Sequence, residues 1–312
     1  MAITAPASST GNRVQPETPR PAGGSRLLPW LFLLPFGIPF VLFYLVPIGY
    51  AIYQSLFKIE RTGGIYGKAT QVFAGLSQYG EVFKSGEFRS SVLRVLVFGV
   101  VQIPIMLILA LGLALLLDST VVHLKRFLRI SYFVPYGIPG VIAAIMWGFI
   151  YSPNLSPIVA LLDKLNISVD FLGANTVLWS IANVVTWTYS GYNMLIIYSA
   201  LLAIPTDIFE AARLDGASNW QIARRIKIPA VTPALILTAV FSIIGTLQLF
   251  TEPIVFSKIS TNITSGYTPN LVVFNAAQNN YYVSAAISVT LAIGTFALSF
   301  GFLKLTNRRA GA

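Results

Sequence analysis

The chain is 312 residues long, 55% hydrophobic and only 10% charged, with a mean hydropathy of +0.72. About a quarter of a soluble domain's residues are charged, so water could not solvate a globule of this composition and lipid is the implied solvent. The net charge of +10 raises nucleic acid as a partner, but Lys and Arg sit between apolar runs rather than along one exposed stripe, which argues against that reading.

Residues 1–26 are rich in Pro, Ser, Gly, Thr and Arg, with almost no large apolar side chain, and are expected to form a disordered tail. The apolar run at 27–57 far exceeds the roughly 7–15 residues of a signal-peptide core and reads as a first membrane helix. Five further runs, near 92–117, 128–151, 177–203, 230–250 and 285–303, are long enough to cross about 30 Å of hydrocarbon. The predicted fold is therefore an all-α integral membrane protein with about six spans. No run alternates as the strands of a membrane barrel do. Pro35, Pro39, Pro47, Pro104, Pro135 and Pro139 fall within spans, as in a shaped, packed bundle rather than a simple anchor.

Orientation follows from the basic residues. With the amino terminus inside, the inner segments hold Arg13, Arg20 and Arg26; Lys125, Arg126 and Arg129; Arg213, Arg224, Arg225 and Lys227; and Lys304, Arg308 and Arg309, most of the chain's 21 Lys and Arg. Both termini are expected to be cytoplasmic, with a short tail at 306–312. His123 lies in the second of these segments beside Lys125 and Arg126, without a neighbouring carboxylate, and reads as a solvated loop residue. The absence of Cys excludes disulfides and thiolate metal sites, so no metal centre is expected.

The segment 204–228 carries the most information. Pro205 ends the fourth span, and Asp207 followed by Glu210 has the spacing of a capping box. Gly216 can take the left-handed conformation that closes a helix, and Ser218 with Gln221 sets a second capping box. A second helix is expected to run to about Ile228, where Pro229 opens the next span. Two helices this short have no core of their own. Ile208, Phe209, Leu214, Trp220, Ile222 and Ile226 need partners, partly in the bundle and partly on another protein.

Glu210-Ala211-Ala212, then Asp215-Gly216-Ala217-Ser218, then Ile226-Lys227-Ile228-Pro229, resembles the EAA loop of ABC importer permeases, and its spacing is most similar to the carbohydrate (maltose-type) subfamily. The resemblance covers roughly residues 30–305 and implies one transmembrane domain over 27–305. It implies that Glu210 pairs with a basic residue of an ATPase, that Ala211 and Ala212 permit close approach, and that Asp215 and Gly216 form the turn of a cytoplasmic coupling helix. It also implies a second related permease, two ATPase subunits that use ATP and Mg, an external solute-binding protein, and a prokaryotic cell membrane as the location.

This chain is not itself expected to be an enzyme or to bind a cofactor: it has no G-x-x-x-x-G-K-[ST] loop for phosphate, no H-E-x-x-H and no G-x-S-x-G. An ion-coupled secondary transporter or a channel subunit is the alternative reading. The spans lack mid-membrane charges, Arg94 and Glu252 are placed near span ends, and a secondary transporter has no ATPase to dock.

The candidate solute path lies on the fourth and fifth spans. Trp187, Tyr189 and Tyr192 fall within two turns, Ser242 and Thr246 are spaced to share a face, and Gln248 is near. Aromatic faces with a few hydrogen-bonding groups bind polyhydroxylated solutes, although such residues also serve as interface anchors and interhelical ties. In maltose-type permeases the sugar contacts come from these two spans. Trp187, Tyr192 and Ser242 match positions used there, whereas Tyr189, Thr246 and Leu249 depart from that pattern.

Overall fold

The computed structural model describes residues 28–62 and 68–310. The expected tail at 1–26 and the last two residues lie outside the described residues. The chain divides into two units, Met1–Gly49 and Tyr50–Ala312.

The first unit is described from α1 (Leu28–Phe40), which passes through a π-helical turn (Val41–Leu45) into α2 (Val46–Gln54). Pro47 explains the turn: it has no N–H for the carbonyl four residues back, and its ring crowds that carbonyl. Bonding the Val46 amide to the Val41 carbonyl, five residues back, widens the helix just before the proline. Phe36, Phe40 and Tyr44 stack along one edge, with ring centroids 5.7 Å apart at each step.

In the second unit, α2 ends in an antiparallel hairpin of β1 (Phe57–Thr62) and β2 (Lys68–Phe73), paired Phe57 to Phe73. The hairpin amends the all-α expectation. Phe57 and Ile59 alternate with Lys58 and Glu60 in the period of a strand, not of the membrane helix to which Phe57 was assigned. Ser55 and Tyr79 share a hydroxyl hydrogen bond of 2.6 Å that ties the hairpin's base to α3 (Ser77–Lys84).

Helix α4 (Gly86–Asp118) is capped by the Ser85 hydroxyl, which accepts from the Phe88 amide. Its 33 residues span about 50 Å, so it projects beyond the hydrocarbon. The expected third span is broken. α5 (Lys125–Gly137) and α6 (Gly140–Tyr151) meet at 97°, because Pro139 cannot continue a helix and Ile138 before it is extended, at φ −81° and ψ 127°. After α7 (Pro157–Lys164), α8 (Val177–Leu202) forms the axis of the unit, packed on both α4 and α5. Gly191 lets α5 close on α8: a Cβ there would overlap the Tyr132 carbonyl. Val177, Ile181 and Val184 join Phe98 and Phe256 in a core at one end of α8, while Met194, Ile197 and Leu201 join Ala110, Ala114 and Leu117 of α4 at the other.

Beyond α8 come α9 (Thr206–Leu214), α10 (Asn219–Ile222), a second π-turn (Ala223–Lys227), α11 (Ile228–Ala230) and α12 (Thr232–Leu247). The second helix of the 204–228 segment ends at Ala230, within two residues of the expected Ile228. Val231, at φ −91° and ψ 3°, separates it from α12, while the Val231 amide still bonds the Lys227 carbonyl and the Leu235 amide bonds the Val231 carbonyl, both at 3.0 Å. The π-turn of this second helix repeats the first, with the Ile228 amide on the Ala223 carbonyl immediately before Pro229.

The fold closes with α13 (Thr251–Phe256), α14 (Pro269–Asn279) and α15 (Tyr281–Ala310). α15 extends through most of the segment expected to be a tail at 306–312. The 257–268 connection is clasped to α4: the Arg94 guanidinium donates to the carbonyls of Gly266 (3.3 Å) and Tyr267 (2.8 Å) and lies 4.5 Å over the Tyr267 ring. Burial pushes the Tyr267 phenol above its ordinary pKa, and the guanidinium opposes that shift.

Among the described residues, four helices are long and apolar enough to cross a membrane, and counting each of two bent pairs as one span raises that to six. The second bent pair is α8 with α9, at 71°. α8 does not qualify alone because its interior carries Asn183, Thr186, Thr188, Ser190 and Asn193, and most of these sit inside protein rather than against lipid. Outward faces are apolar: Val100 and Ile108 of α4 and Ile293 and Phe296 of α15 are exposed, as a lipid solvent requires.

Candidate functional site

Two groups of residues stand out. The first is the turn between α9 and α10. Gly216 takes φ +81°; its amide bonds the Arg213 carbonyl at 3.0 Å, and the Ala217 amide bonds the Ala212 carbonyl at 2.9 Å, the pair of bonds that closes a helix through a left-handed residue. The Ser218 capping box forms, with the hydroxyl accepting from the Gln221 amide (3.3 Å) and the Gln221 side chain accepting from the Ser218 amide (2.7 Å). The Asp207–Glu210 box does not. α9 begins two residues earlier, at Thr206 behind Pro205, so Asp207 lies inside the first turn, where its charge faces the helix dipole.

Glu210, Ala211, Asp215 and Gly216 are exposed, and Ala212 is half-buried. Leu214 and Trp220, 89% and 68% exposed, flank the turn, while Ile222 is buried. A half-buried ion pair between Lys227 and Asp118 fastens the segment to the end of α4, and the Lys227 ammonium also lies 4.9 Å from the Phe209 ring.

The second group lines a cleft of about 340 Å³ between α4, α8 and the α12–α13 break. Tyr189, Tyr192, Ser242, Thr246 and Gln248 all line it. Trp187 does not; its ring packs edge-on against Trp147, 5.7 Å away at 74°. Tyr192 stacks on Tyr136 of α5, with centroids 4.6 Å apart and planes 18° from parallel, and Tyr189 meets the same ring edge-on at 5.8 Å. Ser242 donates to the Thr238 carbonyl at 2.8 Å. Small residues set the walls: a Cβ at Gly99 would come 3.1 Å from the Thr246 methyl, and one at Gly140 would come 3.3 Å from the Thr251 methyl.

Sequence reading missed Gln102, Asn193 and Glu252 in this lining. Glu252, placed near a span end where it could reach the interface, is 8% exposed and lines the cleft. The helix stops at Leu247, Phe250 takes φ −142° and ψ −48°, and α13 turns Glu252 inward. A lone Gln102 in an otherwise apolar run was a signal available in the sequence.

The sequence pattern of the family described as binding-protein-dependent transport system inner membrane component matches residues 71–310. The chain is 27% identical over 270 residues, 85% of each chain, to the probable starch degradation products transport system permease protein AmyD of Thermoanaerobacterium thermosulfurigenes. It is 26% identical to the trehalose transport system permease protein SugA of Mycobacterium tuberculosis, covering 98% of this chain and 94% of that one. Its fold matches a chain of a bacterial ABC transporter involved in the import of the acidic polysaccharide alginate, with a TM-score of 0.76 at 18% identity over 90% of this chain and 95% of that one. A chain of a bacterial alginate ABC transporter in complex with an alginate pentasaccharide-bound periplasmic protein matches equally well, with a TM-score of 0.76 at 18% identity over 91% of this chain and 95% of that one. The bent, multi-pass helical unit and the family match over 71–310 lead to one conclusion: the chain belongs to the binding-protein-dependent transport system inner membrane components, the permease subunits of ABC importers.

Proposed function

We propose that the chain forms half of the transmembrane path of an ATP-driven importer for a sugar or sugar-like solute. The observation that carries this reading is the 340 Å³ cleft, where Tyr189 and Tyr192 line the wall together with Ser242, Thr246 and Gln248. Sugars present apolar C–H faces and a rim of hydroxyls, which is the complement of such a lining. Relatives named for starch degradation products and trehalose, and a neighbour in fold that imports alginate, support the same solute class.

The Glu210–Gly216 turn is the proposed docking point for an ATPase subunit. It is exposed, rigidly capped and flanked by Leu214 and Trp220, and Glu210 makes no ion pair among the described residues. The full assembly would comprise this chain, a second related permease, two ATPase subunits that bind ATP and Mg, and an external solute-binding protein. It would sit in a prokaryotic cell membrane with both termini of this chain in the cytoplasm. Lys227–Asp118 and the neighbourhood of Leu303 with Pro229 and Thr232 support that orientation, because they gather three basic segments at one end of the bundle.

The test is uptake and solute-stimulated ATP hydrolysis by the reconstituted complex over a panel of neutral and charged sugars. Tyr192→Ala and Ser242→Ala should each lower solute-driven turnover with assembly intact, whereas Trp187→Ala should act only through its packing on Trp147. Unchanged rates and selectivity in the Tyr192 and Ser242 variants would remove the cleft from the solute path.

A further inference from the structure

Three side chains of the cleft leave acceptor atoms free. Gln102 directs its amide N–H groups at the Thr186 hydroxyl (3.2 Å) and the Met106 sulfur (3.4 Å), which leaves its buried carbonyl oxygen without a donor. Asn193 aims its amide nitrogen at the same sulfur, at 3.6 Å. Ser242 commits its proton to the Thr238 carbonyl, so what its hydroxyl still offers is lone pairs. Glu252 is the one Asp, Glu, Lys, Arg or His in the lining, and it has no ion pair among the described residues. A buried polar group without a partner costs free energy that a ligand bearing the complementary group removes.

The cleft therefore holds a single carboxyl group among hydroxyls and amides that can both donate and accept. Resting on the reading of this cleft as the solute path, we infer that Glu252 acts as a charge filter: the permease takes polyhydroxylated solutes that are neutral or carry an ammonium group, and rejects uronates and sugar phosphates. Hydroxyl and ammonium protons answer the free acceptors of Gln102, Ser242 and Glu252. An anionic oxygen would be repelled by the ionised Glu252 carboxylate, strongly so in a setting of low dielectric. Glu252 is a specificity-determining residue on this view. The shared fold does not require the same preference, since the neighbour in fold imports an acidic polysaccharide.

The chain has no Cys, so one introduced thiol reads the local potential directly. Ser242→Cys is made in the assembled complex, and its modification by a trimethylammonium-bearing and a sulfonate-bearing methanethiosulfonate reagent is timed by gel shift of this chain. Each rate is divided by that for a free thiol in solution. A carboxylate across a cleft of this size should favour the cationic reagent by roughly tenfold or more, and adding Glu252→Gln should bring the ratio close to one. Glu252→Asp should keep the preference and controls for misassembly of the Gln variant.

A ratio near one with Glu252 in place, or a ratio that Glu252→Gln leaves unchanged, would overturn the inference. The two readings fail separately. If no neutral sugar drives transport while the ratio persists, the sugar-import reading is lost and the charged cleft stands. Normal sugar uptake with no charge preference would do the reverse.

Discussion

Gly191→Ala is the most economical test of how the cleft is built. A Cβ at position 191 would overlap the Tyr132 carbonyl and come within 3.1 Å of the Phe133 Cα, and all of these are backbone atoms of α5. No flexible side chain can yield, so restoring ordinary contact moves α5 off α8 by about an ångström or more. Overpacking of this kind costs about 1–3 kcal/mol, and a clash with backbone belongs at the upper end. The same movement carries Tyr136 away from Tyr192, whose rings now lie 4.6 Å apart. The expected outcome is a melting temperature several degrees lower, by size-exclusion thermal shift of the detergent-solubilised complex, together with a loss of solute uptake. Gly112→Ala on α4 is the control, because a Cβ there meets nothing within 4 Å. It should be neutral or stabilising by up to about 1 kcal/mol, the helix-propensity gain. Gly191→Ala with native melting and native uptake would refute the close-approach argument.

Other predictions follow from single contacts. At Gly216 a Cβ has open space but φ is +81°, so Gly216→Val should lose about 1–2 kcal/mol to backbone strain alone; Gly216→Asn should retain more uptake than Val, and equal uptake in the two would refute the need for a left-handed residue. Glu210→Ala should uncouple solute-driven ATP hydrolysis while leaving the chain inserted, and a fully coupled variant would end the proposed docking role. The Asp118–Lys227 pair leaves each side chain 16% exposed, so Asp118→Asn should destabilise by about 1–3 kcal/mol, less than a fully buried pair; Asp118→Leu with Lys227→Met should recover part of the loss, as a double-mutant cycle of melting temperatures would reveal. Cysteine placed at Ser8 or at Ala310 should resist impermeant thiol reagents in intact cells, and labelling of either from outside would reverse the orientation.

The membrane character, the approximate positions of the long helices and the α9–α10 turn were legible in the sequence. Each rests on a local signal: an unbroken apolar run, a Gly after a helix, or a Ser three residues before a Gln. What escaped depended on how helices turn in space. Pro139 was counted as a kink within one span, yet proline and the extended residue before it turn the chain through 97°. α14 is too short to register as a span, although Thr268-Pro269 is a good helix start, with the Thr268 hydroxyl accepting from the Leu271 amide. Trp187 was grouped with Tyr189 and Tyr192 by nearness along the chain. Five residues separate it from Tyr192, which at 3.6 per turn places the two on different faces, whereas Tyr189 and Tyr192 are neighbours. Ser242 and Thr246, four apart, share the cleft as that spacing implies. Glu252 escaped because a hydropathy run that ends near Phe250 gives no direction for the chain beyond it.

The stretch from Asn219 to Leu247 has a mechanical meaning. Two hydrogen bonds span the turn at Val231, so the exposed turn and the wall of the cleft are two ends of one jointed rod. Trp220 lies about 17 Å from Val231 and Ser242 about the same distance beyond it, at 1.5 Å per residue. A rod pivoting at Val231 has nearly equal arms, and a swing of about 3 Å at Trp220 carries Ser242 a similar distance the opposite way. The π-turn at Ala223–Lys227 sits on the outer arm, between the tip and the pivot. It makes that arm the more compliant one, and the Lys227–Asp118 pair ties the last residue of the π-turn to the end of α4. Stiffness of those five residues therefore sets how much of a displacement at Trp220 reaches Ser242.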